Sequence, residues 1–160
     1  MPSFDLSGSN LNGSTLTGAK ISGVDLSGAT LVESTLTNVE FGSANLSGSD
    51  LTDSVLIGTG FSGADLSGVI LSGANLTGAS ISRTDLNGAN ASNANFSAIT
   101  VKDCNLLQAD LTGVNLTGAS IEDSNLVGVD FTDAITTGVI LTGSTWDETT
   151  TWPDGFTPPA

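Results

Sequence analysis

The side chains able to do chemistry in this 160-residue chain are nearly all carboxylates. Seventeen Asp and Glu stand against three bases, with one cysteine and no histidine. Some acids recur at an interval of twenty, as in Asp5/Asp25 and Asp65/Asp85. Two carboxyl groups about 5–5.5 Å apart are the equipment of a retaining glycosidase. That chemistry also needs a pocket to hold the sugar and to raise one pKa. Other chemistries fail earlier. Without His the commonest general base and metal ligand is missing, so no nucleophile–base pair can be drawn around Cys104. The glycines recur every five residues and open no helix, unlike a phosphate loop. No acidic loop has the ligand spacing calcium requires. Triplets such as Asn45-Leu46-Ser47 and Asn75-Leu76-Thr77 match the glycosylation pattern only because the sequence repeats. The expectation is a non-enzyme with no catalytic residue, cofactor or metal.

The elements that must carry these acids are read from composition and period. The formal charge is −14, the only bases being Lys20, Arg83 and Lys102. Such a charge argues against wrapping nucleic acid or docking on anionic lipid. No apolar run approaches the length of a membrane span. The start Met1-Pro2-Ser3-Phe4-Asp5 has neither the basic nor the apolar part of a secretory signal. A single Cys excludes an intrachain disulfide framework, and the bacterial cytoplasm is the expected compartment.

A period of five runs almost the whole length. Every fifth position from Leu6 to Trp146 makes 29 sites, of which 28 are apolar, Thr136 being the exception. Two residues before each centre the side chain is small or β-branched, as at Ala19, Val24, Ala44, Ala64 and Ala74. Two residues after it stands Gly in 17 of 29 units. Neither a helix nor a simple strand gives an unbroken period of five. The pattern demands a chain that turns a corner every five residues, with one large and one small side chain inward. Gly at the corner accommodates the backbone angles.

Units such as Ala64-Asp65-Leu66-Ser67-Gly68 and Ala74-Asn75-Leu76-Thr77-Gly78 resemble the pentapeptide repeat family. The likeness extends over residues 4–148 and is close to small cyanobacterial members. It implies an all-β fold, a right-handed quadrilateral β-helix in which four pentapeptides form a square coil. The sequence carries the factor of four independently. Leu6, Leu26, Leu46, Leu66, Leu86, Leu106, Leu126 and Trp146 are the centres of one side. The fourth side, Ile21, Phe41, Phe61, Ile81, Val101, Ile121 and Leu141, is nearly free of Leu. About seven coils make a rod of roughly 34 Å. Residues 4–148 are expected to be this solenoid and 149–160 a C-terminal capping tail, laying Trp152 or Phe156 over the last coil beside Trp146. At the other end Phe4, at an inward position, is expected to plug the first coil.

Sorted by side, the acids are uneven. The first side carries Asp5, Asp25, Asp65, Asp85, Asp147 and Glu148; the second carries Glu33, Asp50, Asp53, Asp110, Asp130 and Asp133. These two sides hold no base, and the third holds no charge at all. Asp and Asn before a centre suit turns, where they satisfy nearby backbone. That role does not extend to Glu33, Asp53 and Asp133, which stand where Gly otherwise does. The candidate acidic interaction surface is therefore Asp5, Asp25, Glu33, Asp50, Asp53, Asp65, Asp85, Asp110, Asp130 and Asp133. The third side is Thr-rich, with Val55 and Ile57 as candidate contact residues. Val32, Ile70, Leu107 and Val127 are further apolar residues expected to be exposed. Ile135 and Ile140, near the end, are expected either to lie beneath the tail or to form a homodimer contact.

Two functions of different class are consistent with this reading. One is an interaction or scaffold protein, an acidic rigid rod that binds a protein partner. The alternative comes from the resemblance: the family includes quinolone-resistance proteins whose acidic rods mimic DNA in the groove of a type II topoisomerase. Against that alternative, Pro153, Pro158 and Pro159 leave the tail no helical dimer contact of the kind those proteins have. Ice or surface binding through the Thr-rich side is a remote third, since Val-, Ile- and Asn-bearing rungs interrupt a regular Thr array. Direct nucleic-acid and membrane binding are not expected.

Overall fold

The computed structural model describes residues 4–159. Each short straight segment pairs in parallel with the segment twenty residues on: Asp5 with Asp25, Asn10 with Thr30, Thr15 with Thr35, Lys20 with Glu40. Four such pairings close one coil, and the register repeats along the chain. The backbone bonding shows why five residues suffice. Leu26 donates its amide to the Asn45 carbonyl at 2.7 Å and Gly28 donates to Ser47 at 2.9 Å, while Asp25 donates back to Phe4 at 2.9 Å. The Ala29 amide then closes the corner on the Leu26 carbonyl at 3.0 Å. Little of the backbone is left unpaired, as burial of a polar chain requires.

The corner residue has positive φ at every step from Gly8 to Gly143, as the third residue of a type II turn requires. Eleven corners do without glycine, and six of those are Asn or Asp, which tolerate this region best. Ala98 has no such chemistry to recommend it at φ 54°.

Among the described residues only the fourth side straightens into regular strands: β1 (Ser80–Ser82), β2 (Thr100–Lys102) and β3 (Ser120–Glu122), parallel and in that order. The reason is a change of one inward residue type. Where that position is Val24 or Ala64, its amide closes the usual turn on Ile21 or Phe61 at 3.3 Å. At Thr84, Cys104 and Ser124 it carries a hydroxyl or thiol that bonds to the carbonyl two residues back. Thr84 donates to Ser82, Cys104 Sγ to Lys102 at 3.1 Å, and Ser124 Oγ to Glu122 at 2.8 Å. The Cys104 amide turns instead to Ser124 Oγ, and that of Ser124 to Ser144 Oγ. A polar column thus joins successive coils and opens the corners at Arg83, Asp103 and Asp123.

The core is a stack of Leu and Phe, fully enclosed in the middle coils, with Phe41 and Phe61 parallel at 5.3 Å. Burying each large side chain contributes about 1.5–3 kcal/mol. Buried hydroxyls among them are mostly satisfied by carbonyls, as Thr59 is by Leu36 at 2.8 Å. Ser54 Oγ has no partner among the described residues.

The two ends differ, and the placements expected for Phe4 at one and for Ile135 and Ile140 beneath the tail at the other are corrected. Phe4 does not plug the first coil: it is 77% exposed, since among the described residues no coil stacks on its outer side to form a wall. Leu6, Leu11, Leu16 and Ile21 are correspondingly only half-buried. At the far end Thr151 pairs with Asp130, twenty-one residues away, so the last coil holds one extra residue. That shift sets Trp152 flat on Phe131 at 4.8 Å, with Trp146 edge-on at 5.6 Å and Phe156 against it at 5.2 Å. Ile135 and Ile140 do not lie beneath the tail, since each is about half exposed. Thr136 is half-buried in the same last coil, which explains why the apolar series breaks there.

Candidate acidic surface

The ten candidate acids fall into two structural groups. Seven precede an inward centre, and each turns its Oδ1 onto the amide two residues ahead. Asp25 accepts from Ser27 at 3.0 Å, Asp85 from Asn87 at 3.0 Å and Asp110 from Thr112 at 3.0 Å. Asp5, Asp50, Asp65 and Asp130 accept from amide and hydroxyl together, as Asp50 does from Thr52 at 3.0 and 2.6 Å. One oxygen is thereby fixed and the other faces outward. These bonds hold the Asp5 carboxyl below the ordinary aspartate value, and Asp147 is lowered in the same way by Thr149.

Glu33, Asp53 and Asp133 form the second group. They are exposed corners with φ of 55°, 55° and 60°. An ideal Cβ at Gly73, one coil on, would collide with Asp53 Oδ1, so the Asp53 side chain reaches along the rod over that glycine.

Stacked carboxylates repel, and the first side separates some of them with amides. Asn105 Nδ2 donates to Asp85 Oδ1 at 3.0 Å and Asn125 Nδ2 to Asn105 Oδ1 at 3.0 Å. The pairs Asp5/Asp25, Asp65/Asp85 and Asp110/Asp130 remain direct neighbours across a bridge. They sit on an outward face, and among the described residues no group of acids is disposed to hold a metal. A cleft of about 760 Å³ does lie at the C-terminal end, lined by residues between Val139 and Trp146 and by Pro159. It contains no titratable side chain.

Of the apolar candidates, Ile57, Ile70, Ile135 and Ile140 are exposed. Val32, Val55, Leu107 and Val127 are half-buried. Sequence reasoning passed over the fourth side. There Lys102 bridges Glu122 at 3.3 Å and Asp123 at 3.6 Å, which raises its own pKa. Glu122 is lowered chiefly by the Ser120 hydroxyl and then by Lys102. The signal was available: Thr84, Cys104, Ser124 and Ser144 recur at twenty-residue spacing on an inward position otherwise kept for Ala or Val. Burial pushes the Cys104 thiol up, away from reactivity.

Comparison with known proteins accords with the coil. The model of pentapeptide repeats matches in eight copies, over residues 4–38, 34–73, 61–97, 70–106 and 99–133. A trypsin-treated variant of QnrB1, a plasmid-mediated fluoroquinolone resistance protein, is 17% identical, with 91% of each chain covered and a TM-score of 0.58. HetL, a pentapeptide repeat protein involved in heterocyst differentiation regulation in the cyanobacterium Nostoc, is 25% identical over 96% of this chain and 92% of its own, with a TM-score of 0.37. A pentapeptide repeat protein of the Arabidopsis thaliana thylakoid lumen is 30% identical over 78% of this chain and 69% of its own, at a TM-score of 0.42. No curated protein matches the chain.

Proposed function

The chain belongs to the pentapeptide repeat family, and from that premise we propose that it is a non-enzymatic interaction protein, a stiff acidic rod that binds the basic face of a protein partner. Its fold is the right-handed quadrilateral β-helix of that family. One observation carries the proposal: two adjacent sides present twelve acids and no base. On those sides the Asp carboxylates that precede a centre are pre-set by their own turns, so a partner need not order them. A flat face of fixed charge attracts an oppositely charged surface and steers its approach.

The test is to immobilise the rod and compare what it retains with what the Asp50→Asn/Asp53→Asn/Asp130→Asn/Asp133→Asn variant retains. Partners released by moderate salt and absent from the variant support the reading. Identical retention by the two removes it.

The charge of these sides also favours a second reading, mimicry of DNA toward a type II topoisomerase. Titrating the protein into a gyrase supercoiling reaction at two salt concentrations separates the two. Salt-sensitive inhibition that the same four Asn substitutions abolish would favour mimicry. No inhibition leaves a rod for another basic partner. Among the described residues no helix is long and apolar enough to cross a membrane.

A further inference from the structure

We infer that the third side is a self-association face, on which two copies of this chain lie side by side about a two-fold axis parallel to the rod. Two chains of charge −14 repel each other, and of the four sides only the third carries no charge. Its outward side chains stand in two columns, one before the centres from Thr15 to Ile135 and one after them from Thr17 to Thr137. Ile57 and Ile135 are exposed on it. One of four sides of a molecule with 7019 Å² of accessible surface offers about 1,500 Å², more than the about 800 Å² per partner that a stable interface buries.

The hydrogen-bonding groups of this face select the axis. Asn75 Oδ1 accepts from the Thr77 amide at 3.1 Å and the Thr77 hydroxyl at 2.6 Å. Asn115 Oδ1 accepts from Thr117 in the same way, at 3.0 and 2.6 Å, and Asn95 Oδ1 from the Ser97 amide at 3.0 Å. Among the described residues the Nδ2 donors of these three amides have no partner. The two Thr hydroxyls have spent their protons, so their oxygens are left as acceptors. A two-fold axis along the rod sets the column before the centres against the column after them, rung for rung. Asn75, Asn95 and Asn115 then face Thr77, Ser97 and Thr117 of the second copy, donor to acceptor, and symmetry doubles each pair. On the third rung Val55 of each copy meets Ile57 of the other. An axis across the rod would set each column against itself, amide donor against amide donor. The corners agree with the first arrangement. Glu33, Asp53 and Asp133 flank the column before the centres, and the axis along the rod brings them to a corner that is uncharged throughout and glycine at five of its seven steps. An axis across the rod would bring the acidic corner onto its own counterpart.

Both copies use the same face, so the pairing is isologous and closed, and the acidic first and second sides stay open to a basic partner. Sedimentation equilibrium of the full chain is expected to give twice the 16.0 kDa of one copy. Asn75→Asp/Asn95→Asp/Asn115→Asp should return the monomer. Asp makes the same turn bond elsewhere in the rod, as Asp110 does with Thr112, but here it replaces a donor by a charge. Asn10→Asp/Asn45→Asp/Asn90→Asp adds equal charge on the first two sides, where these amides make that same turn, and should leave the dimer intact. Circular dichroism checks that both variants keep the fold. The axis is read separately, by single cysteines far apart on the face. An axis along the rod holds each residue near its own counterpart, about 10–12 Å away for sheets packed about 10 Å apart. Thr37→Cys and Thr137→Cys should therefore each be joined to themselves by a short bismaleimide, with the unsubstituted chain, whose Cys104 is buried, as the blank. A monomeric chain, a dimer that survives the third-side substitutions, a dimer lost equally with the control substitutions, or cross-linking at fewer than both cysteines would each overturn the inference.

Discussion

Ser54 sits wholly enclosed at an inward position, with its hydroxyl unpartnered. The same position one and two coils on is Ala74 and Ala94, both buried without strain. Ser54→Ala therefore removes an uncompensated polar group and leaves the packing unchanged. It is expected to stabilise the protein by about 1 kcal/mol, read as a higher urea midpoint at constant slope. Thr59→Val, which removes a hydroxyl bonded to Leu36, should do the opposite. Protonation acts at the same scale. Asp147 is held below the ordinary aspartate value, first by the Thr149 hydroxyl and then by its amide. A depressed folded-state pKa contributes stability above the unfolded value of 3.8 and loses it as pH falls through the lower folded value. Thr149→Val should move the Asp147 carboxyl resonance midpoint up toward 3.8, while a midpoint that stays put would assign the shift to the backbone alone.

Among elements, the corner between the fourth and first sides has two forms, and one side-chain oxygen selects between them. Ser124 Oγ donates to the Glu122 carbonyl and accepts from the Cys104 amide, so β2 and β3 share it. Ser124→Ala leaves the Cys104 amide buried without its acceptor, at a cost of about 1–3 kcal/mol. Hydrogen exchange is the direct readout: the Cys104 amide should exchange faster, with that of Ala64, which closes a regular corner on Phe61, unchanged. Equal protection in both proteins would mean that the corner had reverted to the ordinary turn. Here lies the boundary of what the sequence makes legible. The period of five and the twenty-residue rhythm come from apolar centres that any solution must bury, and they specify coil, sides and core together. The two corner forms depend on where a hydroxyl points, and a pattern of residue sizes does not encode direction. Phe4 was misread for a related reason. Its position in the repeat is inward, but inwardness exists only where a neighbouring coil supplies a wall. For the acids, residue type and spacing located the ladder and its turn bonds, while the reach of Asp53 over Gly73 follows from the stacking of coils.

For the whole molecule, the governing quantity is seventeen acids against three bases on a narrow body. The bases all lie on the fourth side, and Lys102 is already engaged by Glu122 and Asp123. The first and second sides therefore carry uncompensated repulsion. At a Debye length of about 10 Å in 0.1 M salt, screening reaches neighbouring coils. Melting temperature should rise between 10 mM and 0.5 M sodium chloride, by several degrees if about 1 kcal/mol of repulsion is relieved. Replacing Asp50, Asp53, Asp130 and Asp133 by Asn should flatten that dependence. A salt response unaffected by the four substitutions would place the repulsion elsewhere.

The pairing of Asp130 with Thr151 is one residue longer than all the others, and it falls in the last coil. For a gene this has a plain meaning. A single added codon anywhere upstream would carry every later leucine out of the core, so the interior of the coding sequence tolerates length changes only in whole turns. A duplicated or deleted block of twenty codons merely makes the rod one storey taller or shorter. The turn that drifts by one codon is the one after which the period of five stops. Lineages of such proteins should therefore differ in height by whole storeys and keep their irregularities on the roof.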